Sequence, residues 1–480
     1  MVSHFDMSPT RRPSRLRRNL QYCLWEVMFG VPSMFLAAPG NVVMTVLLTR
    51  YFHLSVARFG ILVSLQALFN ALQVGVMPAL NRHFTAKRLA LVGGWVHCAT
   101  VFALVGVLPF LRQDGTHGVF FILIGFFAVQ AAAMSLIAVS WTSWVQEFAP
   151  ERIRGKYFGR RNAAQQVATV VFLIFVGWWL AQDGEGGEKG VLFGLAMLLG
   201  GSMLMRVSSL CMQGKTYSPV DLAVKAGDGA AGGVQRATNR SWQWQLQRIL
   251  EQPQFLRYLW FGAAFGFTIN LMGPFFNVFM LDVLRMSVSQ VTTLVVLSSI
   301  TGAAAMVGWG PFIDRYGNRP VMVFCLITWM MNGYLWTVTT PERLWVLYLM
   351  WAVAGVFAAG FMQGLFGLLL KIVPPEAKTT AISVNMAVTA LPATVAPIMG
   401  GWLLDMALAQ GWDKLTVYQW GAAIYHTLIM STVMLLLRVT EPKSQPISQL
   451  VGAMRSYRNV VSVLGLTFLV DYLFYRRRRE

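Results

Sequence analysis

The chain has 480 residues, of which 56% are hydrophobic and only 12% are charged. A soluble chain carries about 25% charged residues, so this composition excludes an ordinary soluble enzyme, a disordered protein and a coiled coil. Lys and Arg total 39 against 20 Asp and Glu, which gives a formal net charge of +19. These values indicate one membrane protein with many spans joined by basic segments.

Twelve apolar stretches are long enough to cross a bilayer as helices, which takes about 20 residues each. The stretches do not alternate in hydropathy as the strands of a membrane barrel would. The sequence therefore predicts an all-α integral membrane protein. In chain order, spans 1 to 12 are predicted at 24–48, 58–80, 89–111, 119–142, 163–182, 191–213, 258–284, 288–312, 320–340, 344–372, 381–408 and 418–438.

Basic residues predict the orientation. With the N-terminus inside, 31 of the 39 Lys and Arg fall on inside segments and seven on outside loops. The positive-inside rule then places both termini in the cytosol. The basic runs 11-RRPSRLRR-18 and 476-RRRR-479 could otherwise indicate nucleic-acid binding. We favour topology and anionic lipid headgroups at the cytosolic face as their explanation, with no nucleic acid as partner.

The predicted domain organisation has two six-helix bundles. A further apolar run at 459–475 is short, contains Asp471 and precedes four arginines. We expect it to lie at the cytosolic interface rather than to form a thirteenth span. The predicted regions are a basic cytosolic tail (1–21), the N-terminal bundle (22–213), a cytosolic linker with an amphipathic segment (214–257), the C-terminal bundle (258–438) and a cytosolic tail (439–480).

The two halves repeat the same features in the same order, which predicts pseudo-symmetric bundles. Span 2 ends in 77-MPALNRHFTAKR-88, and span 8 ends in 308-GWGPFIDRYGNR-319. Span 1 is interrupted at 39-PGN-41, and span 7 is interrupted at 273-GP-274. Interrupted helices at corresponding positions of two repeats are typical of a transporter's binding site.

The segment that ends span 8 resembles the signature loop of the major facilitator superfamily. The resemblance covers residues 20 to 440, although the first-half copy of the loop has Asn81 where the family usually has Asp. It implies alternating access and a gate at the cytosolic end. The gating residues that it implies, with neighbours in the loop between spans 4 and 5, are Asn81, Arg82, Glu151, Arg152, Arg154, Gly310, Asp314, Arg315, Gly317 and Arg319.

Charged residues are scarce within the spans. Those present (Glu26, Glu147, Arg206, Asp282, Lys371 and Asp405) are all expected near span ends, where headgroups or loops can reach them. Glu26, on span 1, is the candidate for coupling transport to protons. The alternative is that it only forms ion pairs with the basic runs 15–18 or 160–161.

Amide side chains are more frequent at depth, and each must find polar partners because lipid offers none. For any one of them the alternative to a binding role is bonding between helices. The resemblance implies that spans 1, 4, 7 and 10 line the central cavity. It thereby favours as substrate-binding residues Asn41, Gln130, Asn270, Asn277 and Gln363, while Asn332, His97 and His426 on outer spans are expected to be structural.

The sequence thus predicts a secondary active or facilitative transporter of a small neutral or zwitterionic solute such as a sugar, nucleoside or small peptide. Two alternatives remain: a receptor or scaffold that has lost transport, and a drug-efflux antiporter. We find no metal site, cofactor motif or catalytic constellation among the residues, so we expect neither an enzyme nor a cofactor. We expect a monomer in a bacterial inner membrane.

Overall fold

The computed structural model describes residues 11–111, 117–148, 151–182, 187–216, 242–373, 378–442 and 444–454. Residues 217–241 of the predicted linker and the whole apolar run 459–475 lie outside the described residues. The choice between an interfacial helix and a thirteenth span therefore stays a prediction.

The described chain is helical, which confirms the predicted fold class. Eleven helices are long and apolar enough to cross a membrane, and the predicted fifth span contains a shorter apolar stretch, Ala164–Leu180. The helices of the first half are Arg11–Ala37, Val42–Thr45, Val56–His83, Ala86–Val107, His117–Phe148, Glu151–Gln182 and Gly187–Lys215. Those that follow are Trp242–Leu250, Pro253–Met272, Phe275–Val278, Val288–Tyr316, Asn318–Gly333, Trp345–Ile372, Lys378–Ala409, Lys414–Leu437 and Ile447–Met454.

Spans 1 and 7 are broken in the same way. Each has a long helix, a break at the predicted Gly-Pro position, one short helical turn and then a π-helical turn, Val46–Tyr51 in span 1 and Phe279–Val283 in span 7. Both π turns are followed by a residue other than glycine with positive φ, His53 at 50° and Arg285 at 54°. π turns are rare and occur often at functional sites, so their repetition strengthens the predicted equivalence of the halves.

The two halves meet along spans 2 and 11 and along spans 5 and 8, and small residues permit the closest approach. A Cβ on Gly401 of span 11 would lie 2.6 Å from the carbonyl oxygen of Val56 in span 2. A Cβ on Gly177 of span 5 would lie 3.7 Å from Thr292 of span 8, which is ordinary contact. The interface is therefore tighter along spans 2 and 11.

Candidate functional site

The break in span 1 is held by Asn41. Its amide nitrogen donates to the carbonyls of Phe35, Leu36 and Ala38 at 2.6 to 2.8 Å, and its side-chain oxygen accepts from the N–H of Met44 at 2.9 Å. These are the carbonyls and N–H that an interrupted helix leaves without partners inside the helix. Asn41 thus acts as the cap that joins the two pieces of span 1.

Two further predicted cavity amides contact the same break. Asn277 of span 7 donates to the carbonyl of Gly40 at 2.8 Å, a hydrogen bond that crosses between the halves. Gln130 of span 4 donates to the carbonyl of Ala37. The structure therefore brings Asn41, Gln130 and Asn277 together at one place, where their amides bond to backbone.

The other two predicted cavity amides lie elsewhere. Asn270 is half-buried and donates to the carbonyl of Gly266, one turn earlier in span 7, at 2.8 Å. Gln363 of span 10 is exposed and lies beside Gly310 of span 8, whose added Cβ would be 3.8 Å from the Gln363 amide nitrogen. Gln363 therefore lies next to Gly310 of the predicted gating motif.

A second polar cluster joins spans 2 and 4. Gln66 donates to Asn70 at 3.2 Å and to Ser135 at 3.3 Å, and the Ser135 hydroxyl donates to Asn70 at 2.7 Å. Gln66 and Asn70 are half-buried. The cavity candidates named from the sequence were amides on spans 1, 4, 7 and 10, so Gln66 and Asn70 of span 2 and the hydroxyl residue Ser135 of span 4 were omitted. The spacing of the amides in span 2 could have indicated this cluster. Gln66, Asn70 and Gln73 are four and three residues apart, which places them on one helical face.

Glu26 lies in a buried ionic cluster of the first half. Its carboxylate is 3.5 Å from Arg161 of span 5 and 3.7 Å from Arg206 of span 6, and it accepts a 2.8 Å hydrogen bond from Gln213. Arg161 also stacks over Trp141, with 3.8 Å between the guanidinium and the ring centroid. The contact with Arg161 is the one that the ion-pair alternative anticipated, although the coupling role stays open.

The expectation for Arg206 was wrong. Its side chain is only 1% exposed, so neither headgroups nor loops surround it. It donates to Ser209 at 3.1 Å, and Ser209 in turn donates to the Glu26 carbonyl at 3.0 Å. Its Nε and Nη2 atoms are buried without hydrogen-bond partners among the described residues. A buried charge is costly unless paired, and here Glu26 supplies the opposite charge that the linear sequence does not reveal.

Polar contacts join the two halves at the predicted outer end. Arg50 of span 1 forms a 2.9 Å ion pair with Asp282 of span 7 and also donates to the carbonyl of Leu281. Asp405 of span 11 accepts the first two N–H groups of span 2, from Val56 at 3.2 Å and Ala57 at 2.9 Å. A carboxylate at a helix N-terminus is favoured by the helix dipole.

At the predicted inner end, the gating motif of span 8 bonds within its own half. Asp314 and Arg315 are exposed. Gly317 ends the helix with φ at 101°, a conformation that favours glycine. Arg319 donates through its side chain to the carbonyl of Leu437 at 2.6 Å and through its backbone N–H to Glu441 at 2.7 Å.

Glu441, which follows span 12, was not predicted as a site residue. Its carboxylate is buried and also accepts hydrogen bonds from Asn318 at 2.8 Å and Lys371 at 2.9 Å. Burial raises the pKa of Glu441, but these donors and the Arg319 N–H outweigh burial and hold the pKa below its usual value. Glu441 thus ties the gating loop to spans 10 and 12.

The first-half gating residues are described only as backbone. Asn81 and Arg82 lie in the last turn of helix Val56–His83, and Glu151, Arg152 and Arg154 lie at the start of helix Glu151–Gln182. Their side chains fall outside the described part of the structure, so their gating role stays a prediction.

Comparison with known proteins agrees with this architecture. The profile of the Major Facilitator Superfamily matches residues 29–279 and again residues 258–475. The multi-drug resistance efflux pump PmrA of Streptococcus pneumoniae is 29% identical over 157 residues, which are 32% of this chain. That match spans only 38% of the pump's length.

Solved transporter structures have the same fold. A mutant of the nucleoside transporter NupG has a TM-score of 0.62 at 15% identity, covering 89% of this chain and all of NupG. The xylose transporter XylE from E. coli, in an inward open conformation, has a TM-score of 0.61 at 15% identity, covering 92% of this chain and 99% of XylE. At these identities the likeness shows the fold alone. The family profile matches both halves, and the chain therefore belongs to the major facilitator superfamily, whose members are multi-pass membrane transporters rather than enzymes.

Proposed function

We propose that this protein is a secondary active or facilitative transporter that moves a small polar solute by alternating access. The observation that carries the proposal is the meeting of two equivalent broken helices, with Asn277 of span 7 bonded to Gly40 of span 1 across the halves. Broken helices present backbone groups to a central site. The contacts of Arg50 and Asp405 fit a state closed at the outer end.

The solute that we propose is neutral or zwitterionic, such as a sugar, a nucleoside or a small peptide. Gln66 and Asn70 are half-buried and Ser135 is buried, and together they offer both hydrogen-bond donors and acceptors. We add this cluster to the cavity amides named from the sequence. Among those amides, Asn270 is half-buried and Gln363 is exposed. NupG is named as a nucleoside transporter and XylE as a xylose transporter, and both fit the same solute class.

The first test is a thermal-unfolding screen of the purified protein in detergent against sugars, nucleosides, amino acids, peptides and lipophilic cations. A ligand that binds only the folded state stabilises it by about 2.7 kcal/mol at 100 times its dissociation constant. We expect a hit from the neutral or zwitterionic classes that is lost in Asn70→Ala and Gln363→Ala. Asn332→Ala is the matched control. Asn332 lies on outer span 9 and donates to the carbonyl of Met350 in span 10 at 2.8 Å. A hit that survives both cavity variants would overturn the site assignment.

We propose that Asp314 and Arg315 form part of the inner gate, with the first-half residues Asn81, Arg82, Glu151, Arg152 and Arg154 opposite them. Cysteines introduced near Asp314 and near Asp282 should change their labelling rates in opposite directions when the solute is added. Labelling that never alternates would favour the receptor or scaffold alternative over transport.

If transport is coupled to protons, Glu26 is the residue that we propose to carry the proton. Glu26→Gln in proteoliposomes should then abolish uptake driven by a pH gradient while solute exchange continues. Exchange and gradient-driven uptake that fall together would instead indicate that Glu26, Arg161 and Arg206 only hold spans 1, 5 and 6 in place.

Drug efflux is a second candidate, favoured by the partial match to PmrA. A hit from the lipophilic cations in the thermal screen, with none from the sugars or nucleosides, would favour efflux over our proposal.

A further inference from the structure

A groove on the outside of the second bundle combines an apolar floor with two guanidinium groups. It has a volume of about 840 Å³ and lies between spans 7, 11 and 12. Its floor includes Phe267 of span 7, Pro392 of span 11 and Leu435 of span 12. The surface is wide enough for a molecule of lipid or drug size, which sites of about 300–1,000 Å³ hold.

Both guanidinium groups lie at the predicted inner end of the groove. Arg257 is in the first turns of helix Pro253–Met272, and Arg438 follows the end of helix Lys414–Leu437. Arg257 donates to the carbonyl of Arg438 at 3.2 Å, which holds the two residues side by side. Both are exposed, and no carboxylate of the described residues is within ion-pair distance of either.

We propose that this groove binds one membrane phospholipid with an anionic headgroup. Both arginines line the same end of the groove, and arginine recognises phosphate through parallel hydrogen bonds. Trp260 is 72% exposed beside them, at the level where indoles meet the membrane–water interface. The apolar floor continues from the charged end and fits an acyl chain. The inner leaflet, onto which the arginines are predicted to face, is the anionic one.

The equivalent groove in the first bundle supplies a contrast. It lies between spans 1, 5 and 6 with a volume of about 600 Å³ and is lined almost wholly by apolar atoms. Trp25 and Met28 of span 1 line it, and none of its lining residues is charged. The charge is therefore a property of the second groove alone, and the first groove predicts no preference for anionic lipid.

The test is native mass spectrometry of the full chain in detergent, titrated with phosphatidylglycerol or with phosphatidylcholine of the same acyl chains. The wild type should bind its first phosphatidylglycerol at least ten times more tightly than phosphatidylcholine. Each arginine near an anionic lipid contributes about 1 kcal/mol, so the double variant Arg257→Gln/Arg438→Gln should lose about 30-fold in affinity for phosphatidylglycerol. Its affinity for phosphatidylcholine should fall by less, because that lipid carries the same phosphate but its choline cation cancels the net negative charge.

Lys215→Gln/Arg248→Gln is the charge-matched control, because both residues are exposed cations at the inner end outside the groove. It should keep the affinity for phosphatidylglycerol within twofold. Thermal unfolding checks that both double variants are folded, and Arg257→Lys/Arg438→Lys should retain part of the preference. Equal losses in the groove and control variants would overturn the proposal. So would an equal preference for the two lipids, or displacement of the lipid by millimolar inorganic phosphate alone.

Discussion

Spans 2 and 8 occupy equivalent places in the two halves, yet their first turns are capped differently. Span 8 is capped from its own sequence, because Ser287 accepts from the N–H of Gln290 at 3.1 Å and Gln290 accepts from the N–H of Ser287 at 2.9 Å. Span 2 has only the longer 3.4 Å contact of Ser55 with the Arg58 N–H, and two of its N–H groups bond Asp405 of the other half. The start of span 2 thus depends on the other half.

Because of this difference, we expect the two contact lines between the halves, spans 2 with 11 and spans 5 with 8, to separate with different ease. Spans 2 and 11 are joined by Asp405 and by the close approach at Gly401, whereas Gly177 and Thr292 make ordinary contact between spans 5 and 8. If the protein alternates access as proposed, opening its outer end has to break the first line of contact at a higher free-energy cost.

The largest effect is expected when bulk is added along the tighter line. Gly401→Ala places a methyl group 2.6 Å from the Val56 oxygen and 2.9 Å from the Cα of Ala57. Overpacking of this kind costs about 1–3 kcal/mol, so the closed outer state should lose roughly 5- to 150-fold in population. We expect faster maleimide labelling of a cysteine introduced near Asp282.

Gly177→Ala is the matched control for this experiment. Its methyl group would lie 3.7 Å from Thr292, which is ordinary van der Waals contact. Labelling and thermal stability should therefore stay near those of the wild type. If Gly177→Ala opened the outer end as much as Gly401→Ala, the two contact lines would be equivalent and the comparison would fail.

The inner ends of the halves also differ, and an effect of similar size is expected at Glu441. In the first half, Lys87 bonds the carbonyls of Gly214 and Thr216 at the end of span 6. The second half adds a buried carboxylate with several donors. Glu441→Gln replaces the carboxylate with a neutral amide and so removes the charge-assisted hydrogen bonds. The variant should lose about 1.5–3 kcal/mol of stability, measured by thermal unfolding at pH 7.

The sign of the pH dependence tests the hydrogen bonding of Glu441. Because folding lowers the pKa of Glu441, its contribution is complete above the unfolded-state value near 4.5 and is lost as the pH falls through the folded-state value. The wild type should therefore lose its advantage over Glu441→Gln below about pH 4.5. An advantage that grew toward low pH would contradict the hydrogen bonding described for Glu441.

Sequence reasoning reached the fold and the helix breaks because hydropathy and Gly-Pro pairs act locally. Asn41 was named for the same reason, but as a substrate-binding candidate, and the sequence did not show that its side chain caps the break in span 1. Arg206 and Glu441 were missed because their partners come from other spans. A hydropathy profile records that a charge is present in a span, but it cannot say which distant residue pairs with it.

A smaller effect is expected for Asp405→Asn. The variant loses the negative charge that favours the N-terminus of span 2, which is worth about 0.3–1 kcal/mol. It also keeps a single acceptor oxygen for the N–H groups of Val56 and Ala57, which bond to different carboxylate oxygens in the wild type. The closed outer state should lose about two- to fivefold in population from the charge alone in the cysteine-labelling assay. Ser287→Ala removes the cap of span 8 as the control and should lower thermal stability without changing the labelling. Equal labelling changes in both variants would show that capping, and not contact between the halves, sets the equilibrium.

The smallest effect is expected for the ion pair of Arg50 and Asp282. The two side chains are 41% and 30% exposed, and exposed ion pairs contribute about 0–1 kcal/mol. Arg50→Gln should lose slightly more than Asp282→Asn, because Arg50 also bonds the Leu281 carbonyl. The charge-swapped double variant Arg50→Asp/Asp282→Arg should recover the pair but not that second bond. The salt dependence tests whether the effect is electrostatic. In the labelling assay, 1 M NaCl should remove the difference between Asp282→Asn and the wild type, because salt screens exposed charges. The Gly401→Ala effect should persist in the same salt because it arises from packing.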